Sequence, residues 1–270
     1  MSAPVLQDVD AARLAEWPEL IASIFAGERL GAIVRGAFAR EPMGALQHAL
    51  ASGRAGVAPA EMQHYPGQQY GRALVVSSDR DEYFAQGDRV RAAVERHAPG
   101  FEAQLSSILG TLAGGAAVEP ARDATGRSYG AFTVRVLRPG GGIDVHCERE
   151  TLRFPPMQEL AKQLDPSTQL SFYVPLATPE GGGELNVFHL RHGEGPGRAL
   201  ESMDRRSTET LTYVESQGVT RPRPQVGDLL VFDAGRHFHR VSPVEGGRHR
   251  WTMGGFLARS RDGSRIHYWC

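Results

Sequence analysis

The sequence predicts a mainly β protein with a helical N-terminal part (an α+β protein) whose C-terminal half forms a jelly roll. Two observations lead to this fold class. Apolar residues recur at helical spacing up to about residue 115, whereas from residue 131 onward they form short runs divided by Gly- and Pro-rich turns. Many short strands with such turns are typical of a sandwich or barrel.

The N-terminal region, residues 1–125, is predicted to be a mostly helical cap or support. One apolar stripe extends from Leu14 to Ile24 and another from Val90 to Leu112, both at helical spacing. Pro42 suits the first turn of a third helix over residues 43–50. The apolar run 30–34 indicates one strand.

The C-terminal region, residues 126–270, is predicted to be the β core, joined to the first region in a single integrated domain. The join is a polar loop near residues 119–128. Strands are expected at 132–137, 170–176, 185–190, 211–214, 229–232, 238–241 and 251–257.

Composition limits the classes of partner. The chain has 270 residues, 30 Lys and Arg against 31 Asp and Glu, and a formal charge of −1, so nothing in its overall charge favours nucleic acid or an anionic membrane. It is rich in glycine, with 32 residues, and six of its ten histidines lie beyond residue 188. That distribution indicates tight turns around a group that binds metal or moves protons.

The compartment predicted from the sequence is the cytoplasm. Only two cysteines occur, which is too few for a disulfide framework and favours a reducing environment. The first thirteen residues carry acidic side chains and no apolar run, unlike a signal peptide, and the longest weakly polar stretch, 108–118, is too short to span a bilayer. The pattern does not predict an oligomeric state.

The first chemical motif is a histidine and a carboxylate two residues apart. In an extended segment, His146 and Glu148 project to the same face. An imidazole and a carboxylate on one face supply two of the three ligands of a facial iron site. Taken alone the H-x-E pattern is common by chance, and a surface strand with two outward polar residues explains it as well.

A second group of residues makes the motif more specific. A possible third ligand, His239, lies in a later strand, and strands remote in sequence are neighbours in a jelly roll. His237 on the same face is the alternative ligand. Arg250 and Thr252 share one strand face, where a guanidinium and a hydroxyl can bind the carboxylate of a keto acid.

The ordered set of motifs over residues 130–258 resembles the iron(II)/2-oxoglutarate-dependent dioxygenases. The similarity is to the prolyl-hydroxylase-like branch and the related free-amino-acid hydroxylases and halogenases. It implies a double-stranded β-helix, a cupin-like jelly roll, in which His146, Glu148 and His239 hold iron(II). It also implies that Arg250 binds the C5 carboxylate of 2-oxoglutarate with assistance from Thr252.

The sequence departs from the family pattern at several positions. Tyrosines that often precede the metal motif correspond here to Leu137 and Ile143, so tyrosine contacts to the cosubstrate are expected to be missing. Arg248, two residues before Arg250, is the alternative carboxylate ligand. Halogenases of the superfamily have a small residue where this chain has Glu148, which leaves a coordination position for chloride. The carboxylate therefore favours hydroxylation.

The function implied by the resemblance is hydroxylation of an unactivated C–H bond in a free amino acid or similar small metabolite. Fe(II), 2-oxoglutarate and O2 are the implied cofactor and cosubstrates, 2-oxoglutarate is converted to succinate and CO2, and ascorbate is expected to stimulate the reaction. A peptidyl or prolyl hydroxylase and a desaturase or cyclase are alternatives within the class. A cupin-like binding protein without catalysis is the alternative outside it.

Substrate contacts are expected from loops rather than from the metal motif. Arg149 follows the predicted ligand Glu148 and would favour an anionic group on the substrate if it faces the cavity. Trp269, next to the C-terminal residue, is a candidate to close over the site. The glycine-containing segment 191–210 is typical of a mobile loop that covers an opening.

Overall fold

The computed structural model describes residues 4–62 and 65–270 of the chain. Its helices are α1 (Leu20–Phe25), α2 (Arg40–Ala51), α3 (Arg80–His97), α4 (Phe101–Leu112), α5 (Gln158–Ala161) and α6 (Thr208–Ser216). Short 3-10 turns cover Ala11–Glu16, Leu74–Val76, Glu148–Arg153, Pro155–Met157, Pro166–Thr168 and Gly195–Glu201.

The strands are distributed over the whole length of the chain. They are β1 (Val5–Asp10), β2 (Arg29–Arg35), β3 (Ala60–Glu61), β4 (Gly67–Tyr70), β5 (Ala117–Pro120), β6 (Thr133–Leu137), β7 (Ile143–His146), β8 (Leu170–Ala177), β9 (Gly181–Gly182), β10 (Leu185–Arg191), β11 (Val219–Thr220), β12 (Leu229–Phe232), β13 (His237–Val241), β14 (Val244–Glu245), β15 (Arg250–Arg259) and β16 (Arg265–Trp269).

Two larger sheets and a two-stranded ribbon organise these strands. The large sheet has the order β1-β2-β12-β8-β15-β6-β4-β3, and β16 and β5 continue it from β15. The second sheet has the order β11-β10-β13-β7, and β14 pairs with β9. The fold is therefore a mixture of helices and several sheets, as the class prediction requires.

Helices cover one face of the large sheet because its strands alternate their side chains. Val134 of β6, Phe172 of β8 and Met253 of β15 belong to the main core cluster, which also contains the apolar faces of α2, α3 and α4. The residues between them on the same strands, Arg135 and Thr252 for example, point to the opposite face. The cavity described below lies on that opposite face.

The helix α3 shows how local sequence sets the ends of these elements. Asp79 caps it by accepting a hydrogen bond from the backbone N–H of Glu82, and acidic residues occupy its first turn. Basic residues, Arg96 and His97, lie in its last turn, where they complement the helix dipole. The stripe 90–112 is divided between α3 and α4, and the stripe 14–24 is divided between a 3-10 turn and α1 with non-helical residues 17–19 between them; residues 30–34 form β2 as expected.

The N-terminal region is less helical than predicted, because it also supplies strands to the large sheet. Strand β2 pairs antiparallel with β12, with Val34 opposite Leu229, and β4 pairs with β6. The two regions thus share one sheet instead of meeting at a boundary near residue 125. The sequence reading missed β1 because its alternating residues are half polar and follow directly on the chain terminus.

One expected strand is wrong. Residues 211–214 belong to α6, which Ser207 caps by accepting a hydrogen bond from the N–H of Thr210. The short run of Leu, Thr, Tyr and Val is compatible with the spacing of a strand and with that of a helix. The capping residue upstream favours the helix. Strand β16, near the C-terminus, was not predicted; it pairs with β15 along Phe256–Arg259.

Within the ranges that the structure describes, none of the helices combines the length and the apolar character needed to cross a bilayer.

Candidate active site

Three potential metal ligands meet at the edge of the second sheet. His146 ends β7, His239 lies in β13, and the two are paired directly across these antiparallel strands. Glu148 follows in the turn after β7, and its Oε1 lies 3.5 Å from His146 Nε2 and 3.9 Å from His239 Nε2. The three ligand atoms all lie within 4.8 Å of one another, a spacing that could hold a metal ion.

The imidazole rings are held in the tautomer that a metal requires. His146 Nδ1 donates to the backbone carbonyl of Asp144 at 2.7 Å, and His239 Nδ1 donates to the carbonyl of His237 at 3.0 Å. A carbonyl oxygen only accepts, so Nδ1 carries the proton and the lone pair of each Nε2 is free for a metal. Burial lowers the pKa of His239 to about 3, which keeps this ring neutral at ordinary pH.

Glu148 is fixed by its backbone as well as by its neighbours. Its N–H donates to the carbonyl of Ala234 at 3.0 Å, and its side chain is 8% exposed. Burial acts to raise the pKa of this carboxyl, but the neighbouring His146, His239 and Arg135 act to lower it and outweigh burial, so the pKa is lowered. The carboxylate is therefore ionised and available as a metal ligand.

A glycine allows β7 to approach β13 closely enough for this arrangement. A Cβ on Gly142 would lie 2.7 Å from the carbonyl oxygen of Val241, which is closer than real Cβ contacts. The glycine-rich turn that precedes His146 in the sequence therefore has a definite function in the pairing of the two ligand strands.

His237, the alternative ligand, does not belong to the cluster. The group of described residues whose ligand atoms lie within 4.8 Å of one another consists of His146, Glu148 and His239. His237 is buried two residues away, its Nδ1 donates to the carbonyl of Phe188, and burial lowers its pKa to about 4.

Cys147, between the two ligands of the motif, is buried, and its thiol donates to the carbonyl of Gly235.

The ligand cluster opens into a cavity between the two sheets. The cavity contains about 570 Å³ of non-atom space, part of which is open to solvent. The large sheet supplies one wall and the second sheet supplies the other. Its lining consists of Thr133, Arg135, Ile143, His146, Ser171, Phe172, Tyr173, Leu185, Phe232, His239, Val241, Arg250, Thr252, Gly254, Gly255 and Phe256.

Arg250 and Thr252 lie side by side in this cavity, on one face of β15. The guanidinium of Arg250 donates to the hydroxyl of Thr252 at 3.3 Å, and each residue is 7% exposed. Arg248, the alternative, is exposed in the turn before β15. Burial lowers the pKa of Arg250. Of the two arginines, only Arg250 is placed to bind a carboxylate inside the cavity.

Tyr173 is a cavity residue that the sequence reading missed. The guanidinium carbon of Arg250 lies 5.3 Å from the centre of the Tyr173 ring. Burial raises the pKa of this phenol against the opposing effect of the Arg250 guanidinium and its hydrogen bond. Leu137 and Ile143, at positions where the family often has tyrosines, carry no hydroxyl. The tyrosine of this cavity comes from strand β8 instead. Alternation along β8 was the available signal, since Tyr173 shares its face with Ser171.

Neither of the expected substrate contacts lines this cavity. Arg149 is half-buried in a surface groove beside Arg153 and His192, outside the cavity walls. Trp269 is fully buried in a separate core cluster with Leu152 and Met157, where it packs beneath the turn that follows Glu148. A side chain enclosed in this way does not close over an opening. Arg149 lies in the turn after Glu148, and Trp269 ends β16.

The segment expected to cover the opening is attached to the ligand-bearing turn by charges. Arg205 donates to both carboxylate oxygens of Glu150, each at 2.7 Å, and His192 Nε2 lies 3.4 Å from the same carboxylate. Arg206 donates to Asp144, which precedes the first ligand, at 2.8 Å. The segment is thus positioned against both sides of the metal motif.

Two histidines and one carboxylate that face a cavity with a buried arginine define the site of a non-haem iron oxygenase that uses a keto-acid cosubstrate. The donor set fits iron: the two imidazole nitrogens are free, and the carboxylate is ionised beside them. The profile of the carrier-protein-independent halogenase WelO5 family matches residues 5–270. The chain belongs to this family and is an enzyme of the iron(II)/2-oxoglutarate-dependent oxygenase superfamily.

Solved structures share the fold at low sequence identity. An N-substituted L-amino acid dioxygenase from Burkholderia ambifaria AMMD is 17% identical with a TM-score of 0.58, covering 94% of this chain and 91% of that one. The α-ketoglutarate-dependent epimerase SnoN from nogalamycin biosynthesis is 12% identical with a TM-score of 0.51, covering 88% and 82% respectively. No curated protein is significantly similar in sequence. At these identities the similarity establishes the fold alone.

Proposed function

We propose that the protein hydroxylates an unactivated C–H bond of a small metabolite, an amino acid or a related compound, with its sheets arranged as the double-stranded β-helix of the superfamily. The observation that carries this proposal is the carboxylate of Glu148 beside His146 and His239. It supports hydroxylation over halogenation, because a carboxylate takes the coordination position that a halide would need. In this respect the chain differs from what its family's description suggests.

Different residues in and beside the cavity have different roles in the proposed reaction. His146, Glu148 and His239 would hold iron(II), and Arg250 with Thr252 and Tyr173 would bind the distal carboxylate of 2-oxoglutarate. When bound, the metal with 2-oxoglutarate and O2 supplies the oxidant that replaces C–H by C–OH, and 2-oxoglutarate leaves as succinate and CO2. The apolar walls around Phe232 and Phe256 exclude water and keep the substrate carbon near the metal.

The site's position supports a small substrate rather than a protein. The cavity lies between two sheets, and the segment 191–210 lies against the ligand-bearing turn. The cytoplasm remains the proposed compartment, which the two free, buried cysteines support.

One experiment tests the class and the outcome of the reaction together. Purified protein with Fe(II), ascorbate and 2-oxoglutarate is incubated with candidate metabolites in buffer containing chloride, and succinate and products are measured by mass spectrometry. The proposal expects substrate-dependent succinate and a product heavier by one oxygen atom. A chlorinated product would refute hydroxylation. If succinate is absent with every substrate and 2-oxoglutarate produces no anaerobic absorption band with Fe(II), the protein is not an oxygenase of this class.

The two ligand histidines supply an internal control. Replacement of His146 by Ala should abolish the anaerobic absorption band, and replacement of His239 should do the same. If the band survives without His239 but disappears without His237, the assignment of the second histidine is incorrect.

A further inference from the structure

We propose that Arg135 binds a carboxylate of the primary substrate, which makes the substrate a small carboxylic acid without a cationic amine. This inference deepens the function proposed above and rests on it. It names a residue that the metal motif does not include, and it narrows the substrate class to one kind of charge.

Arg135 extends into the cavity from the strand beside Arg250. It lies in β6 and is paired with Thr252 of β15, so the two side chains project from neighbouring strands to the same face. Thr133, two residues earlier, also lines the cavity and is paired with Gly254. The guanidinium of Arg135 is near enough to Glu148 and Arg250 to influence the pKa values of both.

The charge of Arg135 has no partner among residues 4–62 and 65–270. It forms neither an ion pair nor a hydrogen bond with a described side chain or carbonyl. Among the other half-buried arginines, Arg91 donates to Glu102 and Arg236 donates to Asp233. A half-buried guanidinium that faces an enclosed cavity without a counter-ion is a binding site for an anion.

The charge balance of the loaded site supports the same conclusion. The two positive charges of iron(II) balance the two negative charges of the 2-oxoglutarate dianion. The negative charge of Glu148 balances the positive charge of one of the two guanidinium groups, those of Arg135 and Arg250. The imidazoles of His146 and His239 are neutral as ligands. One positive charge therefore remains on the cavity wall, and a substrate with one carboxylate neutralises it.

The cavity offers nothing to receive a substrate ammonium group. None of the described residues that line it is an Asp or a Glu, and Glu148 is committed to the metal. An ammonium group would add an unpaired charge beside a guanidinium. Of the small metabolites considered above, an acid whose nitrogen is acylated or absent fits better than a free amino acid.

An unpartnered hydroxyl and apolar walls describe the rest of the bound molecule. Ser171 lines the cavity, is 7% exposed, and its Oγ has no hydrogen-bond partner among the described residues. A buried hydroxyl of this kind normally has a partner, so a polar atom of a bound molecule is expected beside it. Phe232 and Phe256, which are paired with Ser171 from the neighbouring strands β12 and β15, add apolar surface beside it. The site therefore suits a compact molecule with one carboxylate and an apolar body.

The test compares acids with their neutral amides in direct binding. Anaerobic protein loaded with Fe(II) and 2-oxoglutarate is titrated by calorimetry with phenylacetate, hexanoate and N-acetyl-L-leucine, with the primary amide of each, and with L-leucine. The wild type should bind at least one acid about tenfold or more tightly than its amide, and more tightly than the zwitterion. Arg135→Gln should abolish this preference and Arg135→Lys should retain part of it.

The affinity for 2-oxoglutarate separates the two carboxylate sites. In Arg135→Gln the Kd for 2-oxoglutarate should stay within about threefold of the wild-type value, whereas Arg250→Gln should raise it at least tenfold. Arg138→Gln is the matched control, because this arginine of the same region is ion-paired with Glu61 at the surface. Circular dichroism and the melting temperature show whether each variant is folded.

Each result decides between the possibilities. If no acid binds more tightly than its amide, or if Arg135→Gln keeps the preference, Arg135 does not bind the substrate carboxylate. If Arg135→Gln weakens the binding of 2-oxoglutarate as much as Arg250→Gln does, Arg135 belongs to the cosubstrate site. Absence of 2-oxoglutarate binding to the wild type would refute the proposed function itself, whereas normal 2-oxoglutarate binding without acid binding refutes only the inference about Arg135.

Discussion

His146 and His239 are directly opposite each other in the pairing of β7 with β13, and their ring centres are 4.1 Å apart. Paired residues of antiparallel strands have Cβ atoms about 4.5–5.5 Å apart, so sheet register alone brings the two imidazoles together. The backbone carbonyls of Asp144 and His237 then orient the rings. The proximity of these two proposed ligands is therefore a consequence of strand pairing.

The affinity for Fe(II) should depend on His239 and not on His237. Replacement of His239 by Ala removes a ligand and should weaken Fe(II) binding by more than about 100-fold, since even the loss of a group that only supports a ligand costs 10- to 100-fold. Replacement of His237 by Asn keeps the three ligands and should change Fe(II) affinity by less than about tenfold. Anaerobic titration with Fe(II) measures both. Equal losses in the two variants would contradict the assignment.

Removal of the carboxylate of Glu148 should make metal binding depend on chloride. In Glu148→Gly, His146 and His239 remain and one coordination position is open, so a halide can replace the missing anion. We expect Fe(II) affinity to fall by more than about 100-fold in chloride-free buffer and to recover in part when chloride is added. Glu150→Gln, which removes a nearby charge that is not a ligand, is the control and should show no chloride effect.

Binding of 2-oxoglutarate should depend on Arg250 much more than on Arg248. The buried guanidinium of Arg250 contacts Thr252 and Tyr173, whereas Arg248 is exposed. A hydrogen bond to a charged group contributes about 1.5–3 kcal/mol, so Arg250→Gln should raise the KM for 2-oxoglutarate roughly 10- to 100-fold. Tyr173→Phe should raise it about threefold to tenfold. If Arg248→Gln has the larger effect, the alternative arginine is the ligand.

The ion pair between Arg205 and Glu150 should hold the segment 191–210 against the site. Its two hydrogen bonds of 2.7 Å are bidentate, and both side chains are less than one-third exposed. Arg205→Ala should lower the unfolding free energy by about 1 kcal/mol and increase proteolysis within this segment. Arg198→Ala is the control, because among the described residues its guanidinium donates only to the carbonyl of Gly193 at the surface. Equal cleavage of the two variants would show that the ion pair does not restrain the segment.

The clustering of His146, Glu148 and His239 could be predicted from sequence because these residues belong to local patterns. His146 and Glu148 are two residues apart on one extended segment, and His239 stands at a recognisable distance from the Gly-Asp-Leu-Leu-Val-Phe strand. Alternation along a strand is sufficient to place such residues on one face. The same argument placed Arg250 and Thr252 together, and the structure has them in hydrogen-bonding contact.

Tyr173 and Arg135 could not be predicted as cavity residues, because their positions depend on register between distant strands. Arg135 faces the cavity through its pairing with Thr252, and Tyr173 through the pairing of β8 with β15. Neither register is encoded in a short motif. The pairing of β2 with β12 joins the two halves of the chain in one sheet. For the same reason, the helical spacing of apolar residues in the N-terminal region did not predict it.

Asp123 should make the protein lose stability at acid pH. Its carboxylate accepts hydrogen bonds from Thr125 and Arg127. Burial alone would raise the pKa of this group, but these bonds lower it to about 2 from an ordinary value of 3.8. A depressed folded-state pKa stabilises the protein above the unfolded-state value, and this contribution is lost as pH falls towards 2.

The expected size of this contribution follows from the shift in the pKa of Asp123. A difference of nearly two units corresponds to about 2 kcal/mol in the free energy of unfolding, lost between about pH 5 and pH 2. Asp123→Asn cannot titrate, so its unfolding free energy should be lower than that of the wild type at pH 6 and the two should converge near pH 2. Urea unfolding at pH 6, 4 and 2.5 measures this difference. Glu28→Gln, an exposed carboxyl, is the control; a constant difference between Asp123→Asn and the wild type at all three pH values would contradict the linkage.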